Sequence, residues 1–396
     1  MKRYIYERVG FKNIFVIMFV VIIWVIFSIF THGMFLTARN ISFIILQATI
    51  VAYIAMGMVF VIVSGNIDLS VGSVVGLTGA IVAILQFGLL ERISLFSNVS
   101  QVIITLIAIF ITLIFGALVG VWQGSWIAYG RVPSFIVTLG GMLFFRGAVL
   151  GVTKGITISP LLSSFKILGE GYLPKFAGNI IAGFFIFLLW ISWIFKRKLK
   201  IKYRLSSRFF IVDLVFQVVL TGIIILITVI LNMYRGIPIP VVLMLFVGLV
   251  LGYISKNTSF GRNVYAIGGD MEASRLSGIN VRLNLLLVFI LMGVLSSVSG
   301  IILTARLDAA TTNAGSLFEL SAIAACVIGG TSLFGGVGSI SGAVIGSLVI
   351  ASIDNGMSMV NVKIFWQYMI KGIILIVIVW LDVNFQSRKK KLEITS

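Results

Sequence analysis

The sequence predicts an all-α, polytopic membrane protein, with about ten to twelve transmembrane helices in a single domain over residues 1–396. Composition and hydropathy lead to this prediction. Of the 396 residues, 60% are hydrophobic and 11% are charged, and the mean hydropathy is +1.17. Soluble proteins carry roughly 25% charged residues, and apolar runs of about 20 residues are typical of membrane-spanning helices. The composition therefore excludes a soluble domain of this length.

Apolar segments follow one another along the whole chain. The candidate spans are residues 14–30, 41–63, 71–90, 99–122, 135–152, 179–195, 209–231, 241–254, 285–305, 321–334, 341–359 and 365–381. Several are shorter than the roughly 20 residues that a straight span needs, so we expect broken or re-entrant helices among them. Two ladders of glycines at every fourth position predict close contacts between helices: Gly116, Gly120 and Gly124, and Gly338, Gly342 and Gly346.

The basic residues indicate the orientation of the chain. The net charge is +18, and the basic residues stand in short clusters between the apolar runs. Alternating the spans from a cytoplasmic N-terminus places 20 of the 30 Lys and Arg residues on the cytoplasmic side. This is the positive-inside pattern of membrane proteins. It predicts that both termini are cytoplasmic and argues against a nucleic-acid partner.

The sequence lacks the motifs of enzyme chemistry. We find no paired-carboxylate motif, no nucleophile elbow and no glycine-rich phosphate loop, and Cys326 and His32 are the only cysteine and histidine. We therefore expect no catalytic residue, no metal site and no cofactor bound by this chain. If ATP drives its activity, the ATPase is a separate polypeptide.

A polar break at Asn66, Asp68 and Ser70 separates the second span from the third. A carboxylate at the bilayer centre costs about 2.5–3.5 kcal/mol, so Asp68 is expected to face protein or water. It can cap the start of the next helix, or it can line a substrate pathway, and the two roles are compatible. The break is therefore a candidate pathway segment.

A second polar site lies within a later span, at Asp354 and Asn355. Two other spans contain the basic residues Arg146 and Lys371. Buried charges are normally paired, so one interpretation is an ion pair between Asp354 and one of these cations. The other is contact of Asp354 and Asn355 with a substrate.

The longest polar stretch, residues 255–284, contains a compact helix signal. Asp270 is a good N-cap, Glu272 lies in the first turn, where the helix dipole favours an anion, and Gly278 is placed to end the helix. The resulting helix, Met271–Ser277, is too short to be stable alone in water. The stretch is either an ordinary cytoplasmic connection or a helix that docks against a partner.

Several segments, in one order, resemble the ribose/xylose/arabinose branch of the sugar permeases of ATP-binding-cassette (ABC) importers. Residues 67–73 read IDLSVGS, the signature of that branch, and residues 265–281 (YAIGGDMEASRLSGINV) are similar to its coupling loop. The other similar segments are residues 132–147 (VPSFIVTLGGMLFFRG), 322–346 (AIAACVIGGTSLFGGVGSISGAVIG), 354–359 (DNGMSM) and 365–372 (FWQYMIKG). The resemblance covers most of the chain.

The chain is most similar to the xylose-type members, which carry an extra segment that would here be residues 172–232. One departure is Asn66, where ribose-type members have glycine and xylose-type members an acidic residue, so the sugar contacts near Asn66 are not carried over. The resemblance implies the ABC importer permease fold, with broken or short helices, in a bacterial inner membrane. It also implies a permease homodimer surrounded by lipid, a separate ATPase that uses the ATP, and an extracytoplasmic sugar-binding protein.

In the same resemblance, residues 255–284 are a cytoplasmic coupling loop. Its short helix would seat in a groove of the ATPase through Asp270, Glu272, Ala273, Ser274 and Gly278. Ala273 would permit close approach, and Gly278 would allow the turn that returns the chain to the membrane.

The expected function is therefore import of a monosaccharide, D-xylose above all. The alternatives are the same type of permease for ribose or a nucleoside, and an ion-coupled secondary transporter. A proton-coupled carrier is expected to keep titratable groups along its path. Of the 12 Asp and Glu residues, Asp354 alone is predicted deep in a span, which favours the ATP-driven importer.

Overall fold

A computed structural model describes residues 18–93, 100–202 and 210–394. The predicted N-terminal cluster and part of the basic loop 196–208 lie outside these residues. The described chain forms fifteen α-helices: α1 (Met18–Phe30), α2 (Ala38–Val63), α3 (Val71–Ile93), α4 (Gln101–Ala128), α5 (Ser134–Thr153), α6 (Ser163–Glu170), α7 (Lys175–Lys202), α8 (Phe210–Tyr234), α9 (Ile239–Asn257), α10 (Ser259–Gly269), α11 (Met271–Leu276), α12 (Val281–Leu307), α13 (Phe318–Ile328), α14 (Ile340–Met359) and α15 (Ile364–Ile394).

The prediction of an all-α, polytopic membrane protein is confirmed. Within the described ranges, nine helices are long and apolar enough to cross a membrane, and three further apolar helices are shorter. The predicted span 321–334 needs a correction, because α13 ends at Ile328. Gly330 then adopts a positive φ of 90°, a conformation that stops a helix and that glycine tolerates well.

Helix α2 forms the centre of the bundle. Of its most apolar 18-residue window, 89% is buried inside the protein, as expected for a helix that is hydrophobic on all sides. Tyr53 is fully buried, and its hydroxyl donates a hydrogen bond to the carbonyl of Pro240 at 3.1 Å. The helices α8, α9, α12, α13 and α14 surround α2, so a movement of α2 would disturb most of the bundle.

The first glycine ladder lies where α4 crosses α12. A Cβ atom at Gly120 would collide with the backbone of Phe289, and one at Gly293 would collide with the carbonyl of Gly116. In the second ladder, a Cβ atom at Gly342 would collide with the carbonyl of Gly329. The predicted role of both ladders in close packing is confirmed, since small residues let the helix backbones approach each other.

The extra segment of the sequence forms a hairpin of α7 and α8 at the periphery. Only 11% and 18% of their most apolar windows are buried inside the protein. The two helices are joined by Trp190, which donates to Thr221 at 3.2 Å, and by Asn232, which donates to Asn179 at 2.7 Å. The hairpin therefore packs only lightly against the rest of the described chain.

The chain defines two faces of the bundle. Helix α12 begins directly after α11 and ends at Leu307, and its 27 residues span roughly 40 Å at 1.5 Å per residue. We call the end with α10 and α11 the α11 face. The opposite face carries the loop after α12, where Ile158 and Ala310 form an isolated antiparallel β-bridge.

Candidate functional site

The predicted short helix is present as α11, Met271–Leu276, one residue shorter than expected. Asp270 is its N-cap, and the Asp270 carboxylate accepts a hydrogen bond from the amide of Ala273 at 2.9 Å. Glu272 lies in the first turn and pairs with Arg275 at 2.6 Å. Gly278 follows the helix with a φ of 83°. The capping residues and the terminating glycine are thus confirmed as a helix signal.

The surroundings of α11 differ from the predicted loop. Most of residues 255–284 is helical, because α9 reaches Asn257 and α10 occupies Ser259–Gly269. Thr258 caps α10 through its side chain, which accepts a hydrogen bond from the amide of Gly261 at 3.2 Å. The polar composition therefore marks a helix here and not a loop.

Helix α10 links α11 to the core of the bundle. A Cβ atom at Gly268 would collide with the carbonyl of Val63, the last residue of α2. The hydroxyl of Tyr265 donates to the carbonyl of Gly338, just before α14, at 2.9 Å, and burial raises the pKa of this hydroxyl. The amide of Gly336 donates to Val63 at 2.9 Å. A displacement of α10 and α11 would therefore push on the ends of α2 and α14.

One side of α11 is exposed. Ser274 is buried against the protein, whereas Ala273 is exposed. Two apolar side chains, Met271 and Leu276, are 49% and 78% exposed. Sequence reasoning missed these two residues, although apolar side chains at both ends of a short polar helix were a usable signal. The exposed side combines small, apolar and charged groups.

The break between α2 and α3 is a hydrogen-bonded turn. Asp68 is 1% exposed, and its Oδ1 accepts hydrogen bonds from the amide and the hydroxyl of Ser70, at 2.8 Å and 2.7 Å. Gln123 of α4 donates to the Ser70 hydroxyl at 2.6 Å. Asn66 donates to the carbonyl of Ser64 at 3.2 Å. Asp68 thus orients Ser70, the residue just before α3, and both its helix-capping role and its role in a pathway stay predictions.

A buried carboxylate that sequence reasoning missed lies nearby. Glu319, in the first turn of α13, is 7% exposed, and its Oε2 has no hydrogen-bond partner within the described part of the chain. Glu319 lies within electrostatic range of Asp68 and Arg146, and it leaves no room for a side chain at Gly72. Asp354 is therefore not the single carboxylate buried in the bundle.

Asp354 of α14 forms the predicted ion pair, and its partner is Lys371 of α15. The Lys371 Nζ atom lies 2.9 Å from each carboxylate oxygen and donates a hydrogen bond to Oδ2. Arg146 instead donates hydrogen bonds to the carbonyl oxygens of Thr312 and Ala314. The Oδ1 atom of Asn355 is buried and has no hydrogen-bond partner among the described residues.

The five predicted pathway residues form two separate groups. Asn66, Asp68 and Ser70 lie in the break, whereas Asp354 and Asn355 lie on α14. No hydrogen bond joins the two groups within the described ranges. Contact of either group with a substrate stays a prediction.

At the opposite face, an ion pair fixes the loop that follows α12. The Nζ atom of Lys166 in α6 lies 2.5 Å from the Oδ2 atom of Asp308. The Asp308 carboxylate also accepts a hydrogen bond from the amide of Leu161 at 2.9 Å. Burial alone would raise the pKa of Asp308, but the hydrogen bonds from Lys166 and Leu161 and the charge of Lys166 bring that pKa below its usual value. The pair tethers α6 to the end of α12.

Comparison with known proteins identifies a family. Residues 40–379 match the family described as branched-chain amino acid transport system / permease component. The chain is similar to the xylose transport system permease protein XylH of Haemophilus influenzae, with 46% identity over 94% of this chain and 96% of the relative. The XylH protein of Escherichia coli K12 is 44% identical over 94% of this chain and 93% of the relative.

A second group of relatives is less similar. The ribose import permease protein RbsC of Escherichia coli K12 is 34% identical over 88% of this chain and 87% of the relative. No solved structure matches the chain significantly.

Proposed function

The chain belongs to this family of transport permeases, and we propose that it is the membrane-spanning subunit of an ATP-driven importer of D-xylose. The identity to xylose permeases, 46% and 44%, supports this substrate over ribose, for which the relatives are 33% and 34% identical. Ribose is the second candidate.

The main support for the proposal is the structure of α11 and its link to the bundle. It is a capped helix with an exposed side, and α10 joins it to the ends of α2 and α14. Such a helix is suited to receive force from a partner and to pass it to the centre of the bundle. Asp270, Glu272 and Gly278 define the helix, Ala273 allows close approach, and Ser274 anchors it to the permease.

The proposal includes the following assembly. Two copies of the chain form the path in a bacterial inner membrane, with both termini in the cytoplasm and lipid around them. A separate ATPase subunit binds ATP and contacts α11, and an extracytoplasmic sugar-binding protein delivers the sugar to the opposite face. The chain itself acts as a transport subunit and hydrolyses no nucleotide.

Reconstitution tests this function. The chain is placed in liposomes with the ATPase and the sugar-binding protein of a xylose importer, and uptake of radiolabelled D-xylose, D-ribose and L-leucine is measured with and without ATP. We expect ATP-dependent uptake of D-xylose above that of D-ribose, and none of L-leucine. Uptake of D-xylose without ATP but driven by a proton or sodium gradient would contradict the proposal.

A further inference from the structure

An open cavity lies at the opposite face, between the end of α12, the loop after it and α15. Its volume is about 470 Å³, within the roughly 300–1,000 Å³ that small-molecule sites occupy. The polar side chains that line it are Thr311, Asn313, Ser316 and Tyr368, and the apolar ones include Leu307 and Phe318. None of the lining residues carries a charge.

The backbone of the loop after α12 is fixed by contacts with α3, α5 and the segment that follows α5. Arg146 of α5 donates to the carbonyl oxygens of Thr312, at 3.4 Å, and Ala314, at 3.1 Å. Ala310 exchanges backbone hydrogen bonds with Ile158 at 2.9 Å and 3.1 Å. Gly315, with a φ of 72°, lies so close to the backbone of Gly72 that a side chain there would collide. These contacts fix the loop on α3 and α5.

The polar side chains of the loop that line the cavity have free hydrogen-bonding capacity in the described part of the chain. The side chains of Thr311, Asn313 and Ser316 make no hydrogen bond to another residue in the described part of the chain, and the ring of Tyr368 is exposed. Hydroxyl and amide groups can each donate and accept hydrogen bonds. An aromatic ring adds an apolar surface with a polar end. The loop therefore presents a fixed set of neutral donors and acceptors beside apolar walls.

We propose that this cavity is a binding site for a neutral monosaccharide, which is received through Thr311, Asn313 and Ser316 and packs against Tyr368. The inference rests on the proposed function and adds the site to it. A sugar offers many hydroxyl groups and no charge, so the uncharged lining matches it. A free amino acid carries an ammonium and a carboxylate, and burial of such charges without partners is costly. The cavity thus favours a sugar over the amino acids in the family's description.

The test uses the reconstituted complex with its ATPase and sugar-binding protein. Thr311→Ala and Asn313→Ala each remove one hydrogen-bonding side chain from the cavity. Thr157→Ala is the matched control, since Thr157 is exposed at the same face, next to the Ile158–Ala310 bridge, and does not line the cavity. We expect each cavity variant to slow D-xylose uptake by about two- to tenfold, the loss of one hydrogen bond, while the control keeps the wild-type rate. Membrane level and retained ATPase are measured for every variant.

A labelling experiment gives a readout that is independent of transport rate. Asn313→Cys and the control Lys363→Cys are made in a Cys326→Ala background, and their reaction with a membrane-impermeant maleimide is timed in the complex. D-xylose, delivered by its binding protein, should slow labelling at position 313 and not at 363. If the wild-type complex imports D-xylose while both alanine variants match its rate and position 313 is unprotected, the site is overturned and the function stands. If the wild type imports L-leucine and no sugar, both proposals fail.

Discussion

Lys371 Nζ lies 2.9 Å from both carboxylate oxygens of Asp354, which joins α15 to α14 within the apolar part of the bundle. The side chains of Asp354 and Lys371 are 17% and 29% exposed. A narrow, largely apolar cavity borders the pair, with Leu317 and Tyr368 among its lining residues. The ion pair is therefore placed where loss of one partner leaves a poorly solvated charge.

Lys371→Met should destabilise the protein, because it leaves the Asp354 carboxylate unpaired, at a cost of about 3–5 kcal/mol. The double variant Asp354→Leu/Lys371→Met should recover most of the lost stability, since it removes both charges. Thermal unfolding of the purified proteins in detergent checks both results. Normal D-xylose uptake by the double variant would assign Asp354 a structural role. A stable double variant without uptake would instead support its contact with the sugar.

Asp68→Asn should retain most transport. Its Oδ1 atom can still accept the two hydrogen bonds from Ser70, and asparagine forms such a side-chain-to-backbone turn as readily as aspartate. Asp68→Ala cannot accept them and should lose more uptake. The measurement is D-xylose uptake, normalised to the amount of protein in the membrane. A wild-type amount of the asparagine variant with no uptake would show that the charge itself is needed.

Gly293→Ala should destabilise the crossing of α4 and α12, because its Cβ would collide with the carbonyl of Gly116. Overpacking of this kind costs roughly 1–3 kcal/mol. Gly147→Ala on α5 is the matched control, since no atom lies within 4 Å of a Cβ there and alanine is the better helix former. The unfolding temperature should fall for the first variant and stay level or rise for the second. Equal unfolding temperatures would argue against the close packing of this crossing.

The orientation of the bundle is tested by two matched substitutions in a Cys326→Ala background. The charge pattern predicts Lys198 in the cytoplasm and Lys363 outside, and both side chains are exposed. In intact cells, a membrane-impermeant maleimide should therefore modify Lys363→Cys and spare Lys198→Cys until the membrane is broken. Labelling of the cysteine at position 198 in intact cells would reverse the predicted topology.

Local signals in the sequence were enough to predict α11 and the break before α3. Asp270 and Gly278 act within a few residues of their own position, so their effect can be read along the chain. Helix α10 was missed because its polar, glycine-containing sequence resembles a loop, and its helix is stabilised by contact with Val63 and Gly338.

Features that depend on contacts between distant segments could not be predicted from the sequence. Glu319 follows a loop in the sequence, and its burial comes from the approach of α3 at Gly72. The cavity at the opposite face likewise combines the end of α12, the loop 311–316 and Tyr368 of α15. No local sequence pattern predicts which of these residues line the same cavity, because their proximity is set by the packing of the bundle.

The most direct test of the account compares Gly278→Val with Gly278→Asn. The φ of 83° at Gly278 is strongly disfavoured for a β-branched residue, whereas asparagine visits this region readily. No atom lies within 4 Å of a Cβ at this position, so the two variants differ in backbone strain and not in crowding. A second pair, Ala273→Trp and Ala273→Ser, blocks or preserves close approach to a partner at an exposed position of α11.

The quantity to measure is ATP-driven D-xylose uptake by the reconstituted complex, together with the amount of ATPase that purifies with the permease. We predict that Gly278→Val and Ala273→Trp reach the membrane but lose uptake and retained ATPase, while Gly278→Asn and Ala273→Ser keep both. Wild-type uptake and a full complement of ATPase in the valine and tryptophan variants would contradict coupling through α11.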